Sequence, residues 1–305
     1  IMKNTFKNFV SLLLIFTVIF AFAACGPKGN DNNTTEPTTA VVTDTVATTG
    51  ENKPETTGTS TTDAKVDPTV TETSKSQIST DVKLPQGKAE ILAAYTEIMN
   101  YAKTAKPAFK KIEYQVLPAD KRNFDSGIVN TLLKLASGFM VSEEEAREKP
   151  EDNQKGGSMR WFPVYKCDKG CLLTDTSVIK SADCVKLSNG NFKITIVLKE
   201  EKNAEPYNET TKSCPSFTGK MFSPLAKADI DKEVKGISVI KRADYSLKYY
   251  DCKAVLVYNP ANKHIVTLDQ YMSTLITLSG KIVLLPEFSG TAVLNNTMNI
   301  YDIKY

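Results

Sequence analysis

The chain has 305 residues, a formal net charge of +3, 24% charged residues and a single histidine. With no dense Lys/Arg block, nucleic-acid binding is excluded, and one histidine cannot supply the paired imidazoles of a zinc hydrolase. The charge is uneven: +2 over residues 1–26, −4 over 27–87, and +5 from residue 88 onward.

Lys3 and Lys7 precede sixteen residues, Phe9 to Ala24, that are almost unbroken in apolar side chains and end in Phe22-Ala23-Ala24-Cys25. Positive segment, apolar core and small residues follow one another as in a secretory signal. The ending resembles the lipobox of bacterial lipoproteins. In that family the cysteine thiol receives a diacylglycerol, the signal is cut just before it, and the cysteine becomes the new N-terminus. The resemblance implies a signal peptide over residues 1–24, lipidation at Cys25, and a protein anchored on the extracytoplasmic side of the cell membrane. An uncleaved membrane helix is the competing reading, but sixteen residues fall short of the roughly 20 a span requires.

A threonine-dominated tract follows Cys25: sixteen of the forty residues from Thr34 to Thr73 are threonine, with no aromatic residue among them. Such a composition cannot bury enough surface to offset its chain entropy, so residues 25–86 read as a lipidated N-terminus and disordered tether. Its random-coil reach is roughly 45 Å. Tethers of this kind resemble those of Gram-positive surface lipoproteins.

Order is expected from residue 87 to 305, as one domain. Ile91, Leu92, Tyr95, Ile98, Met99 and Ala102 repeat at helical spacing, with Lys88, Glu90, Glu97 and Lys103 assigned to the other face; Pro107 bars continuation. The segment Phe109–Leu117 is open between strand and loop. Asp125 or Ser126 caps a second predicted helix carrying Ile128, Val129, Leu132, Leu133 and Phe139, and Ser142 to Glu145 is a capping box opening a short third.

Strands dominate after Trp161. Asn189-Gly190, between Cys184–Leu187 and Phe192–Leu198, predicts a hairpin with a type I′ turn. Phe192, Ile194, Ile196 and Leu198 share one strand face; Lys193 and Thr195 share the other, wet one. A short helix is predicted over 224–234. Strands follow at 237–240, 245–250, 252–258, 264–278, 281–285 and 291–303, several of them long enough for a sheet to curve. Helices first and strands afterwards give an α+β fold, N-terminal helices on a large antiparallel sheet with one face covered and one wet.

Chemical motifs are scarce. Cys167, Cys171, Cys184, Cys214 and Cys252 remain in the ordered part; an odd number leaves at least one unpaired within the chain, and their pairing stays open. The spacing of Cys167 and Cys171 is not CxxC, and neither a metal nor a cofactor site is assigned. Ser177-Val178-Ile179-Lys180 has SxxK form without its partner motifs, GxSxG is absent, and His264 reads as a strand-end residue. No catalytic residue is assigned.

Three functions stay open. The first is a non-catalytic binding domain for an apolar or lipid-like ligand, in a pocket where the first helix meets the sheet, lined by Ile91, Tyr95, Ile98, Met99 and Met298. The adaptability of the two methionines motivates it. The second is an adhesin-like protein contacting a cell-envelope component through its wet face, and the third is an enzyme without a recognisable motif.

Overall fold

The computed structural model describes residues 82–127, 129–130, 140–235, 240–282 and 287–305. The predicted signal, Cys25 and the tether lie outside these residues, as does most of the predicted second helix. Helix α1 (Gly87–Ala105) is followed by β1 (Ala108–Val116), β2 (Arg122–Phe124), α2 (Glu143–Glu148), β3 (Glu151–Asn153), β4 (Ile179–Lys186), β5 (Phe192–Leu198) and β6 (Glu201–Lys202). Helix α3 (Lys227–Lys235) then precedes three long strands, β7 (Ile240–Tyr258), β8 (Ile265–Ile282) and β9 (Phe288–Lys304).

The fold is α+β and sheet-dominated. One nine-stranded sheet runs β3-β1-β9-β8-β7-β5-β4, with β2 beside β9 and β6 beside β7. Every pairing is antiparallel. The β7-β8-β9 meander is the frame, since its strands have 19, 18 and 17 residues. The shorter strands dock on both its edges.

Strict alternation sorts the side chains into two faces. One cross-strand row reads Lys111, Ile300, Leu268, Leu256, Ile194, Cys184, and the row two residues along reads Glu113, Met298, Gln270, Ala254, Ile196, Ala182. This inner face meets the apolar stripe of α1, which packs on β4 and β5. Burying one side chain of this size contributes about 1.5–3 kcal/mol before its ordering entropy is charged. A second, smaller cluster of Leu117, Phe124, Val129, Phe288, Ala292 and Leu294 fills the inner face where β2 runs along β9.

Several expectations are corrected. Lys103 is not on the wet side of α1. It is 4% exposed, and its Nζ donates to the carbonyls of Met159, Phe162 and Val164 at 2.7, 2.7 and 3.1 Å. The Asn189-Gly190 turn is not type I′, which needs two left-handed residues. Only Gly190 is left-handed, at φ +83°, and its N–H donates to Leu187; that is a turn closed by a glycine bulge. The separate strands at 245–250 and 252–258 are one strand, broken in register at Tyr250/Lys253, where Asp251 takes φ +49°. A bulge of this type restarts the alternation without ending the strand. Ser126, rather than Asp125, accepts the Val129 N–H, while the Asp125 carboxylate takes the backbone and hydroxyl of Ser289. The Ser142 cap forms as expected, accepting from Glu145 at 3.1 Å.

Candidate functional site

The five residues of the predicted pocket fall in one core cluster. Ile91, Tyr95, Ile98 and Met99 share the inward stripe of α1, and all are buried. The phenol of Tyr95 accepts from Gln270 Nε2 at 3.4 Å, which ties α1 to the middle of β8. The Gly170 loop closes over Met99, held down by Asn100 Oδ1, which accepts from the N–H groups of Gly170 and Cys171. The approach is so close that a Cβ on Gly170 would stand 2.3 Å from the Met99 carbonyl oxygen. Around these four side chains the layer is tightly packed.

Met298 lies apart from that stripe, at the floor of a recess toward β1. Glu113, Tyr165, Gln270 and Asn296 line it, and its volume is about 10 Å³, room for about one water. The recess is polar because β1 turns charges inward. Lys111, 2% exposed, pairs with Glu113 at 3.2 Å and Glu151 at 3.5 Å. The Tyr165 hydroxyl donates to Glu113 at 2.8 Å, and burial together with that carboxylate pushes the phenol well above its ordinary range. Glu113 thereby takes Lys111 and Tyr165 on one oxygen, while the Asn296 amide donates to the other at 3.5 Å. Removing Lys111 or Tyr165 would leave a poorly solvated charge, so the cluster reads as a polar plug that fixes β1 against the Tyr165 loop.

Other groups with chemical potential are held in structural roles. Ser177 sits in a 3-10 turn, its N–H on Asp175, while Lys180 lies on β4 and is exposed; they do not share the helical turn an SxxK pair needs. His264 stacks on Tyr305 with ring centroids 3.9 Å apart, and Tyr101 lies parallel at 6.0 Å. The five cysteines are free thiols. Burial raises Cys184 and Cys214 to about 11 and Cys252 to about 12, which keeps them protonated and unreactive at neutral pH. Among the described residues no group of three metal-ligating side chains converges.

The outer face of the sheet is a different surface. Its central row reads Tyr114, Thr297, Tyr271, Lys253, Val197, Ser181, and the next reads Ile112, Asn299, Asp269, Val255, Thr195, Asp183. Most of these side chains are half-buried, the exposure of a strand face with solvent above it. Local bonds order them: Asn299 Nδ2 donates to Asp269 at 2.8 Å, Ser273 donates to Asn295 Oδ1 at 2.9 Å, and the Lys253 ammonium lies 4.6 Å from the Tyr271 ring centre. At one end α2 brings Glu143 and Arg147 beside the Tyr114 phenol. Sequence reasoning marked this face only as wet. Its parity signal was present in Asp269, Tyr271 and Ser273, but their neighbours on β1 and β9 follow only from the strand order.

No described helix is long and apolar enough to cross a membrane. Comparison with protein families, curated proteins and solved structures finds no match to this chain.

Proposed function

We propose that this chain is a lipid-anchored, extracytoplasmic, non-catalytic binding protein whose contact surface is the outer face of its sheet. The signal-like N-terminus and Cys25 support the anchor, and the threonine-rich tract supports a domain held clear of the membrane. In this reading helix α1 covers the inner face, and the outer face is left to meet a cell-envelope component. One observation carries it: the layer around Met99 is closed, whereas the outer rows from β4 to β9 present ordered polar and aromatic side chains to solvent. An apolar ligand at Met99 or Met298 would require that layer to open.

Hydroxyl-radical footprinting tests the reading on the full chain, in its native membrane and after purification in detergent. Tyr271 and Tyr250 should be protected in the membrane and oxidised in detergent, while Tyr101, at the inner-face edge, reacts equally in both. Equal oxidation of Tyr271 in the two states would remove the outer face as a contact surface.

A further inference from the structure

The chain contains a single Asn-Gly step, Asn189-Gly190, and the fold sets it at the tip of the β4–β5 hairpin. Asn189 is exposed. Its Oδ1 accepts the N–H of Asn191 at 3.1 Å, which polarises the side-chain amide, while the amide nitrogen donates to no described group. The next main-chain nitrogen is equally uncovered. Gly190 takes φ +83°, and nothing stands within 4 Å of the place a Cβ would fill. With any other residue at 190, a side chain would crowd that nitrogen; glycine leaves it open.

Two backbone bonds restrain the turn: the Gly190 N–H donates to Leu187 O at 2.9 Å, and the Leu187 N–H to Asn191 O at 2.8 Å. The first occupies the nitrogen that has to attack, so the closed turn does not react. Opening it disturbs little else. Ser188 and Asn189 are exposed, Leu187 is half-buried, and the ladder begins only at Lys186 and Phe192. β4 is the end strand of the sheet and pairs with β5 alone, so no further strand holds this side of the tip. Such a segment opens at a free energy far below that of global unfolding. Other asparagines lack this combination. Asn259 precedes Pro260, whose nitrogen carries no proton. Asn203 precedes an alanine, and its backbone N–H and Oδ1 are both bonded to Leu247.

We propose that Asn189 is a site of spontaneous deamidation, at a rate set by opening of the β4–β5 turn. The deprotonated Gly190 nitrogen attacks Asn189 Cγ. The N–Cγ bond forms, the Cγ–Nδ2 bond breaks, and ammonia leaves with a proton drawn from water. Water then opens the cyclic imide at either carbonyl, giving aspartate or isoaspartate. The net reaction consumes one water and releases one ammonia, with no oxidant and no catalyst. Both products add a negative charge at the tip, and isoaspartate also inserts a methylene into the main chain of the turn.

The test is peptide mapping by mass spectrometry of the full chain, incubated in detergent at mildly alkaline pH, beside the same chain unfolded in urea. Asn189 should convert first and give aspartate and isoaspartate together, while Asn203 and Asn259 stay intact. The folded rate should lie within about 100-fold of the unfolded rate, because only the tip has to open. A reaction that waited for global unfolding would run about 1000-fold slower or worse. Asn189→Gln, which closes its ring far less readily, should remove the conversion. Gly190→Ala should slow it about 10-fold or more by shielding the nitrogen. Alanine is strained at this φ, so the effect of Gly190→Ala is also read in urea, where the turn is gone and only the shielding remains. Another asparagine converting ahead of Asn189 overturns the proposal, as does aspartate as the only product or a rate in urea that ignores Gly190→Ala. A folded rate more than about 100-fold below the unfolded one overturns it as well, since the turn then opens only with the whole domain.

Discussion

Replacing Lys103 with methionine tests whether a buried cation holds the 159–166 loop on α1. Burial lowers the lysine from its ordinary 10.5 to about 8, so keeping it charged at neutral pH costs roughly 3 kcal/mol. Against that cost stand three bonds from its ammonium to the carbonyls of Met159, Phe162 and Val164. Lys103→Met recovers the desolvation but leaves three inward carbonyls without a donor, at about 1–3 kcal/mol each. Taking the middle of that range, the variant should lose about 3 kcal/mol. Urea unfolding of the full chain measures it, and amide exchange across residues 159–166 should speed up well beyond the global change. The pH dependence has a definite sign. Since the folded value lies below the unfolded one, the unfolded chain binds more protons between about 8 and 10.5, and wild type gains on the variant as pH rises through that window. A loss under about 1 kcal/mol, or a gap that narrows over that window, would mean that the carbonyls find other donors and that Lys103 is merely tolerated.

Gly170→Ala should destabilise by about 1–3 kcal/mol in the same assay, because the added Cβ meets the Met99 backbone rather than a side chain that could rotate away. Alkaline titration should weaken the fold overall: buried Cys184 and Cys252 and half-buried Cys214 have folded values of about 11, 12 and 11, above the unfolded thiol. Their contribution is full below about pH 9 and is lost as pH climbs through those values, so the urea midpoint should fall above pH 9, less steeply in Cys252→Ala. Cys25→Ala should release the protein from the membrane fraction or leave the precursor uncut; unchanged size and membrane retention would refute lipidation.

The parts of the fold legible in the sequence are those governed by one local period. Helix α1, the β5 faces and the Ser142 cap follow from spacing within ten residues or so, and their bounds are close to those expected. Segment β1 was ambiguous for a physical reason. Lys111 and Glu113 point inward, where alternation would demand apolar residues, and they are acceptable there because Lys111 pairs with both Glu113 and Glu151 while Tyr165 donates to Glu113. Lys103 misled for the same reason: a lysine on the helix rim becomes interior once a loop some sixty residues away supplies carbonyls.

The outer face adds a different lesson, since each of its strands is legible and the surface they form is not. Parity assigns Tyr271 and Asp269 to one side of β8, and Tyr114 to one side of β1. Nothing local puts β1 two strands from β8, because the link runs through β9 at the far end of the chain. Once that order is known, Asn299 becomes informative: its amide donates to Asp269 on β8 at 2.8 Å, and the Tyr271 phenol bonds to the same side chain. Asn299→Ala should therefore cost about 0.5–1.5 kcal/mol in the urea assay and speed amide exchange where β8 and β9 pair at residues 269 and 299. An unchanged midpoint with unchanged exchange there would mean that these polar bonds contribute nothing to the order of the outer face.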